Sequence, residues 1–231
     1  MVKLFADGAD KAGILEMYRS PRIDGFTTNP TLMRKAGITD YVAFAKDILK
    51  EIPDKPISFE VFADEFGEME RQAVEIADWG RNVYVKIPVM NTKLETSYDL
   101  VRKLSQAGVQ LNITAIMTLE QVRKVAEAVQ GGSSSFVSVF AGRVADTGVD
   151  PVPLMKEALK LLKKAKNAKL LWASPREVLN VYQAESIGCH VITATNDILK
   201  KLNLNGKDLT DFSQETVQMF YNDAQAAGFN L

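Results

Sequence analysis

The chain has 231 residues, 46% of them hydrophobic and 25% charged, with a formal net charge of −1 and no long run of one sign. That composition excludes a disordered or fibrous chain and offers no broad electrostatic footprint for a nucleic-acid or membrane partner. One cysteine, Cys189, and one histidine, His190, rule out an internal disulfide framework and argue against a Cys/His metal site, so no metal is expected.

The N-terminus, MVKLFADGAD, lacks the apolar core of a signal peptide, and no apolar run is long enough to cross a bilayer. A cytoplasmic protein is expected. Along the chain, short apolar runs alternate with longer amphipathic stretches. Strands are expected at 2–7, 23–27, 57–62, 83–88, 109–114, 136–140, 169–174 and 188–193. Helices are expected between them at 9–18, 31–51 with a break near Gly37, 65–79, 93–106, 118–130, 151–166 and 175–186. A shorter helix near 195–202 and a longer one at 211–227 follow the last strand. Thr118-Leu-Glu-Gln121 and Ser174-Pro-Arg-Glu177 have the capping-box form, and Pro30, Pro151 and Pro175 stand at first helical positions. Eight βα units at nearly even spacing point to one α/β domain over 1–231, a (β/α)8 TIM barrel with an extra C-terminal helix at 211–227. A doubly wound open sheet is the alternative.

Strand parity singles out polar residues where apolar ones belong. In NVYVKIP, Val83, Val85 and Ile87 share one face while Tyr84 and Lys86 share the other. If the aliphatic face packs on helices, Lys86 points into the barrel, where desolvation is expected to lower its pKa and make the amine a nucleophile toward a carbonyl. The plainer reading is a strand-end lysine reaching solvent. The same exercise groups Ser58, Glu60 and Phe62, then Gln110, Asn112 and Thr114, then Phe136, Ser138 and Phe140. It also groups Phe5 with Asp7, and Trp172 with Ser174. Asp7, Asn29 and Ser174 also read as helix caps, Asn112 as satisfying buried backbone, and Glu60 as a simple partner for Lys86. Together, Asp7, Glu60, Lys86, Asn112, Thr114, Ser138 and Ser174 fall near C-terminal strand ends, where barrel enzymes keep their sites. Arg143, after the sixth strand, and Arg176, in the expected first turn of the helix after the seventh, are an anion signal or two ordinary surface arginines. Cys189 and His190 sit in an apolar run and read as core.

The segments DGFTTNPTL (24–32), FEV (59–61), VKIP (85–88), LNIT (111–114), VSVFAGRVADTG (137–148) and ASPR (173–176) resemble the transaldolase family, in the family's order. The length resembles its small subfamily, which includes fructose-6-phosphate aldolase-like enzymes. One departure is Val139, where many relatives carry proline. The resemblance implies that Lys86 forms a Schiff base with a ketose. Glu60, working through a water with Thr114, moves protons, and Asp7 takes the proton from the donor C4 hydroxyl. It implies that Asn29, Asn112 and Ser138 bind the dihydroxyacetone unit, with Thr27 and Phe140 nearby, and that Arg143, Ser174 and Arg176 bind phosphate. An iminium nitrogen is itself an electron sink, so no cofactor is implied. The implied activity is transfer of a dihydroxyacetone unit between sugar phosphates of the pentose phosphate pathway, sedoheptulose 7-phosphate or fructose 6-phosphate serving as donor. An aldolase that releases dihydroxyacetone is the alternative. A phosphate-binding isomerase or epimerase and a non-catalytic barrel are more distant rivals. The small subfamily also implies a homo-oligomer, a decamer, and the apolar residues of 211–227 need a surface to cover them.

Overall fold

Eight strands form where short, β-branched and aromatic runs lie between turn residues. In a computed structural model, which describes residues 1–229, they are β1 (Lys3–Asp7), β2 (Ile23–Thr27), β3 (Ile57–Glu60), β4 (Val83–Pro88), β5 (Leu111–Ile116), β6 (Ser135–Val139), β7 (Ala168–Trp172) and β8 (Val191–Thr195). Each pairs in parallel with the next, and β8 pairs with β1, so the sheet closes into a barrel with no free edge. The helices are α1 (Lys11–Tyr18), α2 (Pro30–Lys35), α3 (Tyr41–Glu51), α4 (Phe66–Ala77), α5 (Tyr98–Gln106), α6 (Leu119–Val129), α7 (Ala141–Ala145), α8 (Pro151–Leu162), α9 (Leu179–Ser186), α10 (Asn196–Lys200) and α11 (Leu209–Ala227). Among the described residues, none is long and apolar enough to cross a membrane.

The chain forms two compact units, Met1–Leu199 and Lys200–Leu231. Asn230 and Leu231, the last two residues of the expected 1–231 domain, lie outside the described residues. The second unit contains a 3-10 turn at Lys201–Leu204 and then α11, whose N-cap Asp208 accepts from the Thr210 and Asp211 amides. No residue of α11 is buried, and Leu209, Phe212, Val217, Met219, Phe220 and Tyr221 are exposed.

In the first unit, the aliphatic faces of the strands meet the helices. Val83, Val85 and Ile87 are buried there, each contributing roughly 1.5–3 kcal/mol of transfer free energy. The opposite faces point into the barrel, whose lower part is filled by Phe5, Phe136, Leu171 and Val191, with Tyr84 packed against them. The Phe5 and Phe136 rings meet edge-on at 5.3 Å, and Tyr84 lies 4.5 Å from Phe136. Gly25 makes room for this filling: a Cβ there would stand 2.6 Å from the Phe5 ring.

Several boundaries differ from the sequence expectation, each for a local reason. The break expected in 31–51 near Gly37 is present: Gly37 takes the left-handed conformation at φ +72° and separates α2 from α3. The Thr118–Gln121 capping box forms, and Pro30 and Pro151 begin α2 and α8. The box expected at Ser174–Glu177 does not form. Ser174 itself has φ +60°, and α9 begins only at Leu179. Strand β8 starts three residues later than expected. Cys189 is buried, but His190 is exposed, and its Nδ1 accepts the Leu170 amide at 3.0 Å, so it is not a core residue. The short α7, carrying Arg143, was not expected at all.

Candidate active site

Lys86 projects from the middle of β4 into the barrel and is only 6% exposed. Its ammonium donates to the Thr28 carbonyl at 2.7 Å and lies 2.9 Å from Glu60 Oε2. A buried cation is tolerable only with such partners, because the charge has left water. The register explains the meeting: Glu60, Lys86 and Asn112 stand side by side on β3, β4 and β5. The alternative of a lysine reaching solvent is therefore set aside. Pairing with Glu60, the plainer reading of that carboxylate, is present.

Around the ammonium, polar side chains form two connected groups. Asn112 Nδ2 donates to Ser58 Oγ at 3.0 Å, and Ser138 Oγ donates to Asn112 Oδ1 at 2.6 Å. Asn112 thus bonds to side chains rather than to buried backbone. It is the second residue of β5, not a strand-end residue, because β5 runs two residues beyond the expected 109–114. On the other side, the Thr27 hydroxyl donates to Asp7 Oδ1 at 2.7 Å and lies 2.6 Å from the Thr193 hydroxyl. Asp7 does not cap α1, since Asp10 accepts the Gly13 amide there. Burial raises the Asp7 carboxyl above its ordinary value of 3.8, outweighing the opposing pull of Lys86 and the Thr27 hydrogen bond. Thr114 is buried at the β5 bulge, where Ala115 has φ +60° and the pairing with β6 slips by one residue.

Asn29 does what a cap does. Its Oδ1 accepts the Leu32 amide at 2.9 Å at the start of α2, which leaves its amide nitrogen for other work. Phe140 is the N-cap of α7 rather than the end of β6, and it packs against the barrel filling. Val139 is the buried last residue of β6, paired with Trp172.

The two arginines sit on neighbouring turns. Gly142 brings the turns together, since a Cβ there would overlap the Ser174 carbonyl oxygen at 1.5 Å. Arg176 lies in the loop before α9, not in a helical first turn. It forks onto Asp146, with Nε to Oδ1 at 2.8 Å and a second nitrogen to Oδ2 at 2.5 Å. That hydrogen bonding holds the Asp146 carboxyl below its usual range. Arg143 is exposed and has no ion pair among the described residues. Ser174 caps no helix, and its left-handed backbone breaks the strand parity that placed it with Trp172. Leu171 and Ala173 face the barrel interior, so Trp172 faces the helices.

Four participants escape the sequence reading. Thr28 and Asp146 lie within the quoted segments 24–32 and 137–148, but no role is implied for either there. Thr193 lies at the very end of the expected strand, and Tyr41, whose hydroxyl exchanges hydrogen bonds with the Glu60 backbone, opens a helix far from β3. Among the described residues, no group of three or more His, Cys, Asp or Glu side chains is arranged to hold a metal.

With this geometry in view, the sequence matches the family described as Transaldolase/Fructose-6-phosphate aldolase over residues 4–231. The chain belongs to that family. A probable transaldolase of Thermoanaerobacter sp. is 31% identical over the whole of both chains. A probable transaldolase of Dehalococcoides mccartyi is 33% identical over 87% of this chain and 90% of that one. Among solved structures, the tryptophan synthase A-subunit of Pyrococcus furiosus aligns with a TM-score of 0.60 at 11% identity, covering 94% of this chain and 96% of that one. KGPDC from Streptococcus mutans aligns with a TM-score of 0.58 at 13% identity, covering 87% and 91%. At such identity these two show the barrel fold alone.

In this transaldolase-family barrel the raised Asp7 carboxyl has a cost for stability with a definite sign. The folded state holds the proton more tightly than the unfolded chain does. The penalty is therefore absent below the ordinary carboxylate value and fully present above the raised one. Asp7→Asn keeps the acceptor for Thr27 and removes the charge. It is expected to raise the Tm at pH 7, with the gain fading as pH falls toward 4. Thermal unfolding followed across that pH range measures it, and a gain independent of pH would count against the assignment.

Proposed function

We propose that the protein is a transaldolase that moves a dihydroxyacetone unit from a ketose phosphate to an aldose phosphate through a Schiff base on Lys86. The ketose is sedoheptulose 7-phosphate or fructose 6-phosphate, and the setting is the pentose phosphate pathway. The observation that carries the reading is the buried Lys86 ammonium held between Glu60 and the Thr28 carbonyl, in a chain of the transaldolase/fructose-6-phosphate aldolase family.

In this reading Glu60 Oε2, 2.9 Å from Lys86 Nζ, takes the ammonium proton. The free amine adds to the donor carbonyl carbon, C2. Glu60 returns the proton through a water held with the help of Thr114, hydroxide departs as water, and an iminium remains. Asp7, made more basic by burial, takes the C4 hydroxyl proton as the C3–C4 bond breaks. The bonding pair moves toward the iminium nitrogen and leaves an enamine of dihydroxyacetone on Lys86. The first aldose then departs, and attack of the enamine on an acceptor aldehyde reverses the sequence. Asn29, Asn112 and Ser138 bind the dihydroxyacetone hydroxyls, with Thr27 close by. Arg143, Ser174 and Arg176 bind the phosphate, which displaces Asp146 from Arg176. Glu60 and Phe140 favour transfer over release. A carboxylate can take up and return a proton where an amide cannot, and Phe140 places an apolar edge with no hydroxyl to orient water.

The exposed apolar residues of α11 support a homo-oligomer as part of this reading, a decamer by the resemblance. Light scattering over a wide concentration range checks it, and a monomeric mass throughout would reject it.

Borohydride trapping with fructose 6-phosphate, followed by peptide mass mapping, is expected to place the adduct on Lys86. Lys86→Ala should lose turnover while keeping its fold. With erythrose 4-phosphate present, sedoheptulose 7-phosphate should form quickly; without it, little dihydroxyacetone should appear. An adduct on another lysine rejects the mechanism, and rapid release without acceptor makes the aldolase the better description. Phe140→Tyr should move the balance toward release.

Arg143→Ala and Arg176→Ala are each expected to raise KM for phosphorylated sugars about ten-fold or more, since charge-assisted hydrogen bonds contribute roughly 1.5–3 kcal/mol. Unphosphorylated sugars should change far less. Equal effects on both substrate classes would reject the phosphate assignment.

A further inference from the structure

The β2–β3 ladder stops one rung short at the candidate site. Phe26 N–H donates to the Pro56 carbonyl at 2.8 Å, and Thr28 N–H donates to the Ser58 carbonyl at 3.2 Å. In a parallel ladder the next rung would run from the Glu60 N–H to the Thr28 carbonyl. That rung is missing, because the Thr28 carbonyl accepts from Lys86 Nζ at 2.7 Å instead. The Glu60 N–H donates to the Tyr41 hydroxyl at 2.8 Å, and that hydroxyl donates back to the Glu60 carbonyl at 3.0 Å. On its other edge β3 is held normally, with the Val61 N–H donating to the Lys86 carbonyl at 3.2 Å.

Tyr41 is the first residue of α3. The break at Gly37 turns the chain, and Asp40 caps the helix by accepting the Ala43 amide at 2.9 Å. The Tyr41 ring is held edge-on by Phe59, Phe62 and Trp79, with centroids 6.1, 4.4 and 5.6 Å away. Burial pushes the phenol well above its ordinary value, so it stays a donor at every working pH. One side-chain hydroxyl, donor and acceptor at once, satisfies the Glu60 N–H that β2 would have served and the Glu60 carbonyl, whose next ladder partner, Pro30, has no N–H to give.

We propose that Tyr41 is a positioning residue for the Glu60–Lys86 pair: its hydroxyl takes the place of β2 along the end of β3, fixing the Glu60 carboxylate and leaving the Thr28 carbonyl to hold the lysine. It touches neither substrate nor the reacting atoms and acts through Glu60. The assignment of a chemical role to that pair rests on the Schiff-base reading.

The test is a double-mutant cycle read by the rate of borohydride-trappable adduct formation with fructose 6-phosphate. Tyr41→Phe keeps the ring and loses the hydroxyl. It is expected to slow adduct formation about tenfold or more while barely changing KM for the sugar phosphate. In a Glu60→Gln background the same substitution should slow it by less than about twofold, because residues acting as a unit are not additive. A wild-type rate in Tyr41→Phe, or the same loss in both backgrounds, overturns the proposal. Failure of the unsubstituted protein to give any Lys86 adduct would instead remove the Schiff-base reading. Amide exchange at Glu60 tests the hold itself without a variant. Slow exchange in the unsubstituted protein is expected, although no β2 residue pairs with that amide. Rapid exchange there overturns the proposal even if Tyr41→Phe does not fold.

Discussion

A charged amine inside a closed barrel is the constraint around which the rest of the site is arranged. Once Val83, Val85 and Ile87 commit one face of β4 to the helices, Lys86 has nowhere to point but inward. Its charge then needs partners at the same level. Glu60 comes from the neighbouring strand in register, and Thr28 gives up a backbone carbonyl. That loan disrupts the β2–β3 ladder, and a phenol from α3 repairs it. A single buried cation thus reaches into strand pairing and into the placement of a helix two elements away.

The arginine end of the site obeys a different rule, close backbone approach. Gly142 and the left-handed Ser174 let the first turn of α7 touch the loop before α9, and the contact sets Arg143 and Arg176 on adjacent turns. A left-handed serine costs of order 1 kcal/mol or more, and the packing around it sustains the strain. Asp146 neutralises Arg176 in the meantime.

Much of this was legible in the sequence, and the limits are physical. Period-two alternation identified the strands and the inward set Asp7, Glu60, Lys86, Asn112 and Ser138, because alternation follows from strand geometry alone. It failed at Ser174, where positive φ ends the alternation, and at Phe62, which lies past the end of β3. An apolar run does not say where pairing begins, so β5 and β8 were set two and three residues early. In the structure, Gly108 and Gly188 turn the chain first. Arg176 was placed in a helix because Ser174-Pro175 looks like a helix start, but Asn180 accepts the Arg176 and Glu177 amides and the helix begins later. Tyr41, Thr28 and Asp146 act through contacts distant in sequence, which no local pattern encodes.

The aromatic filling of the lower barrel has a kinetic consequence. Phe5, Phe136 and Tyr84 pack together beneath Lys86, and Gly25 admits the Phe5 ring so that little space is left there. That packing closes the barrel on one side of the amine and leaves the C-terminal ends of the strands as its free side. On the proposed chemistry, donor and acceptor compete for one doorway and one anion seat. The aldose cut from the donor has to leave before the acceptor enters, while the three-carbon fragment waits on the enzyme. On that chemistry a single way in favours substituted-enzyme, ping-pong turnover, with parallel lines in double-reciprocal plots and mutual exclusion of donor and acceptor as its signature.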